Sequence, residues 1–335
     1  MRDGELVAAS EEERFSRVKH DFGYPELAVE FCLKKAGIEA GDLDYVVFYE
    51  KPFLKFERIL NTVLQTFPGS LKVFQEAMIN WFGDKLWVKG IIYKRLGIPL
   101  EKILFVEHHM SHAASAYYSS PFDEAAILTV DGVGEWATTT MGQARGQDIT
   151  LEREQRFPHS LGLLYSAFTA YLGFEVNEGE YKVMGMAPYG EPKYVDEVWK
   201  TVRREGEGNF SLEMDYFTFH RSATQSFSDK LVDLLGPSRE PESNFFTRTS
   251  GYPSYYGDKP PDYEAACKLN EHYADIAASI QKVTEELVLD MARSLHRSTG
   301  LDQLCMAGGV ALNSVANGRI LKESGFKDLY IQPAA

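Results

Sequence analysis

The sequence predicts an α/β protein with mixed sheets. Three observations carry that prediction. Short β-branched and aromatic runs alternate with helical segments, one group of strands reads as a β-meander, and one long segment shows an unbroken apolar stripe. A length of 335 residues suggests about two domains.

Taken in order, Asp3-Gly4 is a tight-turn signal, and Glu5 to Ala9 then reads as a strand. Pro25 opens PELAVEFCLKKAGI, a helix with Gly37 as its stop. Tyr45 to Tyr49 reads as a buried strand. From about Phe53 to Leu96 the pattern is helical, broken at Pro68-Gly69. Ile103 to Val106 is another buried strand, running into the helical EHHMSHAASAYYSS. Ala125 to Val130 is a strand ending at Asp131-Gly132. Glu135 to Gly142 reads as its hairpin partner and Ile149 to Phe157 as a third meander strand. Leu161 to Leu172 reads as a helix. The stretch from about 205 to 263 is rich in Gly, Ser, Pro and aromatics and reads as an insertion with little regular structure.

The clearest helix follows. Leu269, Tyr273, Ile276, Ile280, Val283, Leu287, Met291 and Leu295 recur at three- and four-residue spacing, closed by Gly300. Gln303 to Ala307 is a strand, followed by Gly308-Gly309, a helical ALNSVANGRILKES and a last strand from Asp328 to Gln332.

Composition narrows the function classes. Hydrophobic residues make up 44% and charged residues 25%, which excludes a disordered chain. The net charge of −14 weighs against non-specific nucleic-acid binding. No run of about 18 apolar residues occurs, so no membrane span is expected. Cys32, Cys267 and Cys305 are odd in number and widely spaced, which fits neither a disulfide framework nor a Cys-x-x-Cys site; a cytoplasmic location is the expectation.

Five segments carry chemistry. His108 and His112 are four apart and share one helix face, so both imidazoles can reach one metal ion, with Asp131 as the candidate third ligand. The spacing does not choose between Zn, Fe, Cu and Ni, and a helix N-terminus with histidines satisfied by backbone groups is the alternative. Asp131-Gly132-Val133-Gly134-Glu135 lies between two strands; its glycines would let backbone N–H groups approach a phosphate, as in actin-like and sugar-kinase-like ATPases, or simply form a turn. Gly308, Gly309 and Asn313 sit where a strand opens into a helix, a place for a nucleotide or for a plain tight turn. The polar segment from Glu11 to Asp21 contains Lys19 and His20 as candidate anion contacts. In Asn177 to Met184, carboxylates could meet ribose hydroxyls and Lys182 a phosphate; solvated loops are the alternative for both.

Together the segments are far more specific. EEERFSRVKHD, HHMSHAASAYYSSPF, ILTVDGVGEWATTT, NEGEYKVMGMAPYG and MAGGVALNSVANG occur in the order seen in NodU/CmcH-type O-carbamoyltransferases, and the resemblance covers essentially the whole chain. It implies an actin-like (ASKHA) fold of two ribonuclease-H-like halves with mixed β-sheets and flanking helices. The first half would span 1–124 with a helical insertion, and the second 125–335 with the insertion at about 205–263. It implies a carbamoyltransferase using carbamoyl phosphate and ATP. A YrdC-like domain, not found in this sequence, would make carbamoyl-adenylate, and the actin-like part would pass the carbamoyl group to a hydroxyl of a sugar-like or natural-product acceptor.

The same resemblance implies site roles. His108, His112 and Asp131 match ligands of a divalent transition metal, commonly iron (Fe2+), with Mg2+ a candidate companion of ATP. Gly132 to Glu135 match the phosphate-facing turn. Gly308, Gly309 and Asn313 match the adenosine side. Gly179, Glu180 and Lys182 resemble the segment that meets ribose and phosphate. Lys19 and His20 resemble part of the carbamoyl or acceptor pocket. No nucleic-acid or membrane partner is expected, and a homodimer stays open.

The family pattern also has a glycine-containing strand before RDGELVAA and a fourth, aspartate metal ligand after the last strand. Neither is found here, so a piece of a longer protein is expected. An actin-fold small-molecule kinase is the competing enzyme, disfavoured by the paired histidines. A tRNA-modifying threonylcarbamoyl transferase is disfavoured by the charge and the insertion. A non-catalytic nucleotide- or metal-binding fragment is the remaining alternative.

Overall fold

In the computed structural model, residues 1–335 are described except Phe22, Asp84, Ala223, Ala334 and Ala335, and Asn80 is described by its backbone alone. The chain opens on the expected turn. Arg2 and Glu5 exchange two backbone hydrogen bonds of 2.9 Å across Asp3 and Gly4, whose φ angles are 50° and 86°. The strand expected over Glu5 to Ala9 does not extend past that bridge, because among the described residues no neighbouring strand pairs with it. Helix α1 (Glu13–Ser16) and helix α2 (Glu26–Ala36) follow. Pro25 precedes α2 and Gly37 ends it in the left-handed conformation.

Strand β1 (Val46–Phe48) leads into three helices, α3 (Pro52–Thr66), α4 (Leu71–Gly83) and α5 (Val88–Leu96), and then strand β2 (Ile103–Phe105), parallel to β1. The break at Pro68-Gly69 falls between α3 and α4, as expected. The buried character expected of β1 is corrected. Its sheet has two strands, so only one face is covered, by a small cluster around Ile92, Ile98 and Ile103. Val47 on the other face is 56% exposed.

The remaining elements are helix α6 (His108–Tyr117), strands β3 (Glu124–Val130), β4 (Ala137–Arg145) and β5 (Asp148–Arg156), and helices α7 (Leu161–Tyr171), α8 (Glu180–Met186) and α9 (Val195–Trp199). Then come strands β6 (Val202–Gly206) and β7 (Asn209–Leu212), helices α10 (Asp229–Leu235) and α11 (Tyr263–Thr299), strand β8 (Gln303–Ala307), helix α12 (Ser314–Glu323) and strand β9 (Asp328–Ile331). The expected insertion holds more regular structure than predicted. Most of the β6–β7 hairpin and helix α10 lie in it, because Phe210, Phe217, Leu231 and Leu235 bury into the main core.

The central sheet has five strands in the order β5-β4-β3-β8-β9, with β4 antiparallel to its neighbours and β8 and β9 parallel to β3. Side chains alternate along β3. Ala126, Leu128 and Val130 face α7 and the 37-residue α11, while Ala125 and Ile127 face Ala113, Ala116 and Tyr117 of α6. The sheet is thus covered on both faces. The carboxyl ends of β3 and β8 lie side by side, which sets Asp131 next to Gly308 and Gly309.

Candidate functional site

Helix α6 presents His108 and His112 one turn apart, and β3 ends by presenting Asp131 to both. His108 Nε2 lies 2.8 Å from Asp131 Oδ2 and 3.1 Å from His112 Nε2, and His112 Nε2 lies 3.6 Å from Asp131 Oδ2. If His108 donates its Nε2 proton to Asp131, it has no lone pair left for His112. Three donor atoms converging on one point suit a cation better than they suit one another. Ligands about 2.1 Å from a single ion sit about 3.0–3.4 Å apart, and the three distances here, 2.8, 3.1 and 3.6 Å, bracket that range. Burial would raise the Asp131 carboxyl, but hydrogen bonds and positive charge from His108 and His112 outweigh it and hold the group well below the usual carboxylate range.

His109, between them in sequence, points elsewhere. It is buried, with Nδ1 2.6 Å from Thr129 Oγ1 and Nε2 2.9 Å from the Ala137 carbonyl. Burial pushes its imidazole down to about 4.

Glycines let the backbone segments close around Asp131. A Cβ on Gly308 would lie 2.4 Å from the Val130 carbonyl oxygen, and Gly308 has a φ of 95°. A Cβ on Gly162 would meet the Asp131 carbonyl at 2.6 Å, so the start of α7 abuts the turn. Ser160 caps α7 by accepting from Leu163 N–H, and its hydroxyl donates to the Gly132 carbonyl at 2.6 Å. The Gly309 N–H donates to Asp131 Oδ1 at 3.3 Å.

A cavity of about 520 Å³ opens beside this junction. Asp131, Gly132, Gly309 and Asn313 line one side; Glu180 and the N-terminal pair Lys19 and His20 line others. The N-terminal segment is pinned there by its own acids. Glu12 accepts the N–H groups of Leu27 and Ala28 at the start of α2, and Glu13 accepts that of His20 at 2.9 Å. Four of the five segments therefore share one cleft, and the His108–His112–Asp131 cluster adjoins it through Asp131.

The whole chain, residues 1–335, matches the family model described as carbamoyltransferase N-terminus. The chain belongs to this carbamoyltransferase N-terminal family. A protein of Synechocystis sp., named as the uncharacterized protein sll1178, is 48% identical over 344 residues, covering 100% of this chain and 52% of that one. The nodulation protein NolNO of Sinorhizobium fredii is 32% identical, covering 100% of this chain and 43% of its own. The chain thus spans about half the length of the curated relatives it matches. Among solved structures, HypF of T. kodakarensis covers 72% of this chain and 35% of its own, at 14% identity and a TM-score of 0.30.

Within this family member, several expected site residues have other work. Glu135 is buried and accepts the backbone N–H of Lys51 at 2.7 Å and that of His108 at 3.1 Å, so it clamps the starts of α3 and α6 and does not line the cavity. Gly134 lets α6 approach, since a Cβ there would lie 2.9 Å from His108 Cβ; neither it nor Val133 lines the cavity. Lys182 reaches away to Glu242 at 3.4 Å and lies over the Phe174 ring. Gly179 packs against the Glu175 carbonyl, and Gly308 turns the chain behind Gly309. Asn313 caps α12 and exchanges two amide hydrogen bonds of 3.0 Å with Gln281.

Other lining residues carried no signal as ligand contacts. Tyr165, Ser166 and Thr284 come from α7 and α11, where they sit among apolar neighbours. Beside the apolar stripe of α11 lie the polar residues Gln281, Thr284 and Glu285. Gln281 accepts from the Tyr165 hydroxyl and donates to Glu285, while the Thr284 hydroxyl is buried with no partner among the described residues.

Proposed function

We propose that this chain is the transfer part of an O-carbamoyltransferase, passing the carbamoyl group of carbamoyl-adenylate, made from carbamoyl phosphate and ATP, to a hydroxyl of a sugar-like or natural-product acceptor in the cytoplasm. The observation that carries the reading is the adjoining of the two-histidine, one-carboxylate cluster to a cavity large enough for a nucleotide. The five-stranded order, a meander whose first strand is central and continued by two parallel strands, supports a ribonuclease-H-like half of an actin-like fold.

In the proposed step the acceptor oxygen bonds to the carbonyl carbon. The bond from that carbon to the phosphate oxygen breaks, and AMP leaves with the electron pair. The acceptor proton passes to a base, for which His20 is the candidate because it lines the cavity. Asn313, Gly309 and Gly132 supply the wall against which the nucleotide would lie, and Lys19 offers an ammonium to a phosphate. His108, His112 and Asp131 fit a divalent transition metal, and Fe2+ is the proposed ion. Such an ion, when bound, supplies Lewis-acid polarisation and orientation.

The test is made on the full-length protein. It should release pyrophosphate from ATP only when carbamoyl phosphate is present, and carbamoylate a hydroxylated acceptor. Production of ADP with a phosphorylated acceptor would replace this reading with the kinase one.

A further inference from the structure

The cavity wall is poor in free positive charge. Among the described residues its one lysine, Lys19, is set against three carboxylates, Asp131, Glu178 and Glu180. Glu180 is spent on the Ser166 hydroxyl at 2.8 Å and the Asn177 N–H at 3.0 Å, and Asp131 belongs to the histidine cluster. Glu178 alone takes the groups an anion would seek. Its Oε2 lies 2.6 Å from Lys19 Nζ and its Oε1 lies 3.5 Å from His20 Nε2, one oxygen for each. Backbone geometry puts it there, because Asn177 has a φ of 70° and its N–H is held by Glu180. Glu175 adds a weaker field of the same sign at Lys19. The Lys19 side chain is 63% exposed, so water screens the pair and an incoming anion can displace the carboxylate.

We infer that Glu178 is a specificity-determining residue that sets how tightly the cavity takes a phosphate-bearing ligand, by occupying Lys19 and His20 until such a ligand displaces it. This rests on the nucleotide reading above. The carboxylate acts as an internal competitor: ligands that bring a phosphate exchange one anion for another, while ligands without one leave the pair in place. Glu178 thereby lowers affinity for any phosphate compound and favours release of the phosphate-bearing product.

Calorimetric titration with AMP and with adenosine tests this, on the wild type, Glu178→Gln, Lys19→Ala and the Lys19→Ala/Glu178→Gln double variant, each checked by its melting temperature. Glu178→Gln should bind AMP about two- to fivefold tighter, the range an exposed ion pair supports. Adenosine affinity should stay unchanged, and the gain should vanish in the Lys19→Ala background. Unchanged or weaker AMP binding by Glu178→Gln, or an equal change for adenosine, would overturn the inference while leaving the nucleotide reading in place. A wild type that binds neither AMP nor adenosine would overturn both.

Discussion

His109 shows how adjacent residues of one type take opposite roles. His108 and His112 share the helix face that meets Asp131, while His109 is rotated into the sheet and shares hydrogen bonds with Thr129 and Ala137. Burial keeps it neutral down to about pH 4, whereas an unfolded histidine takes a proton near pH 6.5. Between those values the unfolded chain binds more protons, so this residue's contribution is complete above about pH 6.5 and is lost as pH falls toward 4. Urea melts should show stability declining over that window, and His109→Gln should flatten that part of the decline. Cys305, in β8, is held inert by burial, which pushes its thiol up to about 11. In the native protein an alkylating reagent should modify Cys32 first; rapid labelling of Cys305 would contradict the packing of β8.

At the scale of elements, the sequence was most informative where one periodicity ran long. The Gly37 and Gly300 stops, the three-strand meander and the α11 stripe from Tyr273 to Leu295 formed as read, because each is fixed by local pattern and by one buried face, while Leu269 at the start of the stripe is exposed. The Glu5 to Ala9 strand and the buried β1 were misread because a strand's pairing and coverage depend on neighbours that local pattern does not contain. The site divides in the same way. His108, His112 and Asp131 were readable as a helix spacing plus a strand end. The partners of Glu135 and Lys182 were not, since only the fold brings two helix starts to one and Glu242 to the other. Two substitutions probe these elements. Gly308→Ala forces a side chain into a left-handed position against the Val130 carbonyl and should destabilise by about 2 kcal/mol or more, read by chemical denaturation. Ile280→Ala, on the buried face of α11, should cost about 2–5 kcal/mol; a change under 1 kcal/mol would mean that this face is not packed as described.

The whole molecule is unevenly built. The five-stranded sheet and α11 hold most of the fully buried side chains. Around the two-stranded sheet the core is small, and Phe53, Leu64, Phe67, Ile79, Phe82 and Trp87 stay exposed on the helices from α3 to α5 and the turn before α5. Hydrogen exchange should therefore be slowest in β3, β8 and α11 and much faster across α3–α5. Uniform protection across both regions would contradict this gradient. Among the described residues no helix is long and apolar enough to cross a membrane. His108, His112 and Asp131 are proposed to hold one metal ion beside the cavity. Metal content measured by elemental mass spectrometry, on protein purified without chelators, tests that most directly. Close to one transition-metal ion per chain is expected, lost in the His108→Ala/His112→Ala variant while the fold is retained by circular dichroism. Equal metal content in the two proteins, or none in the wild type after incubation with Fe2+, would contradict it.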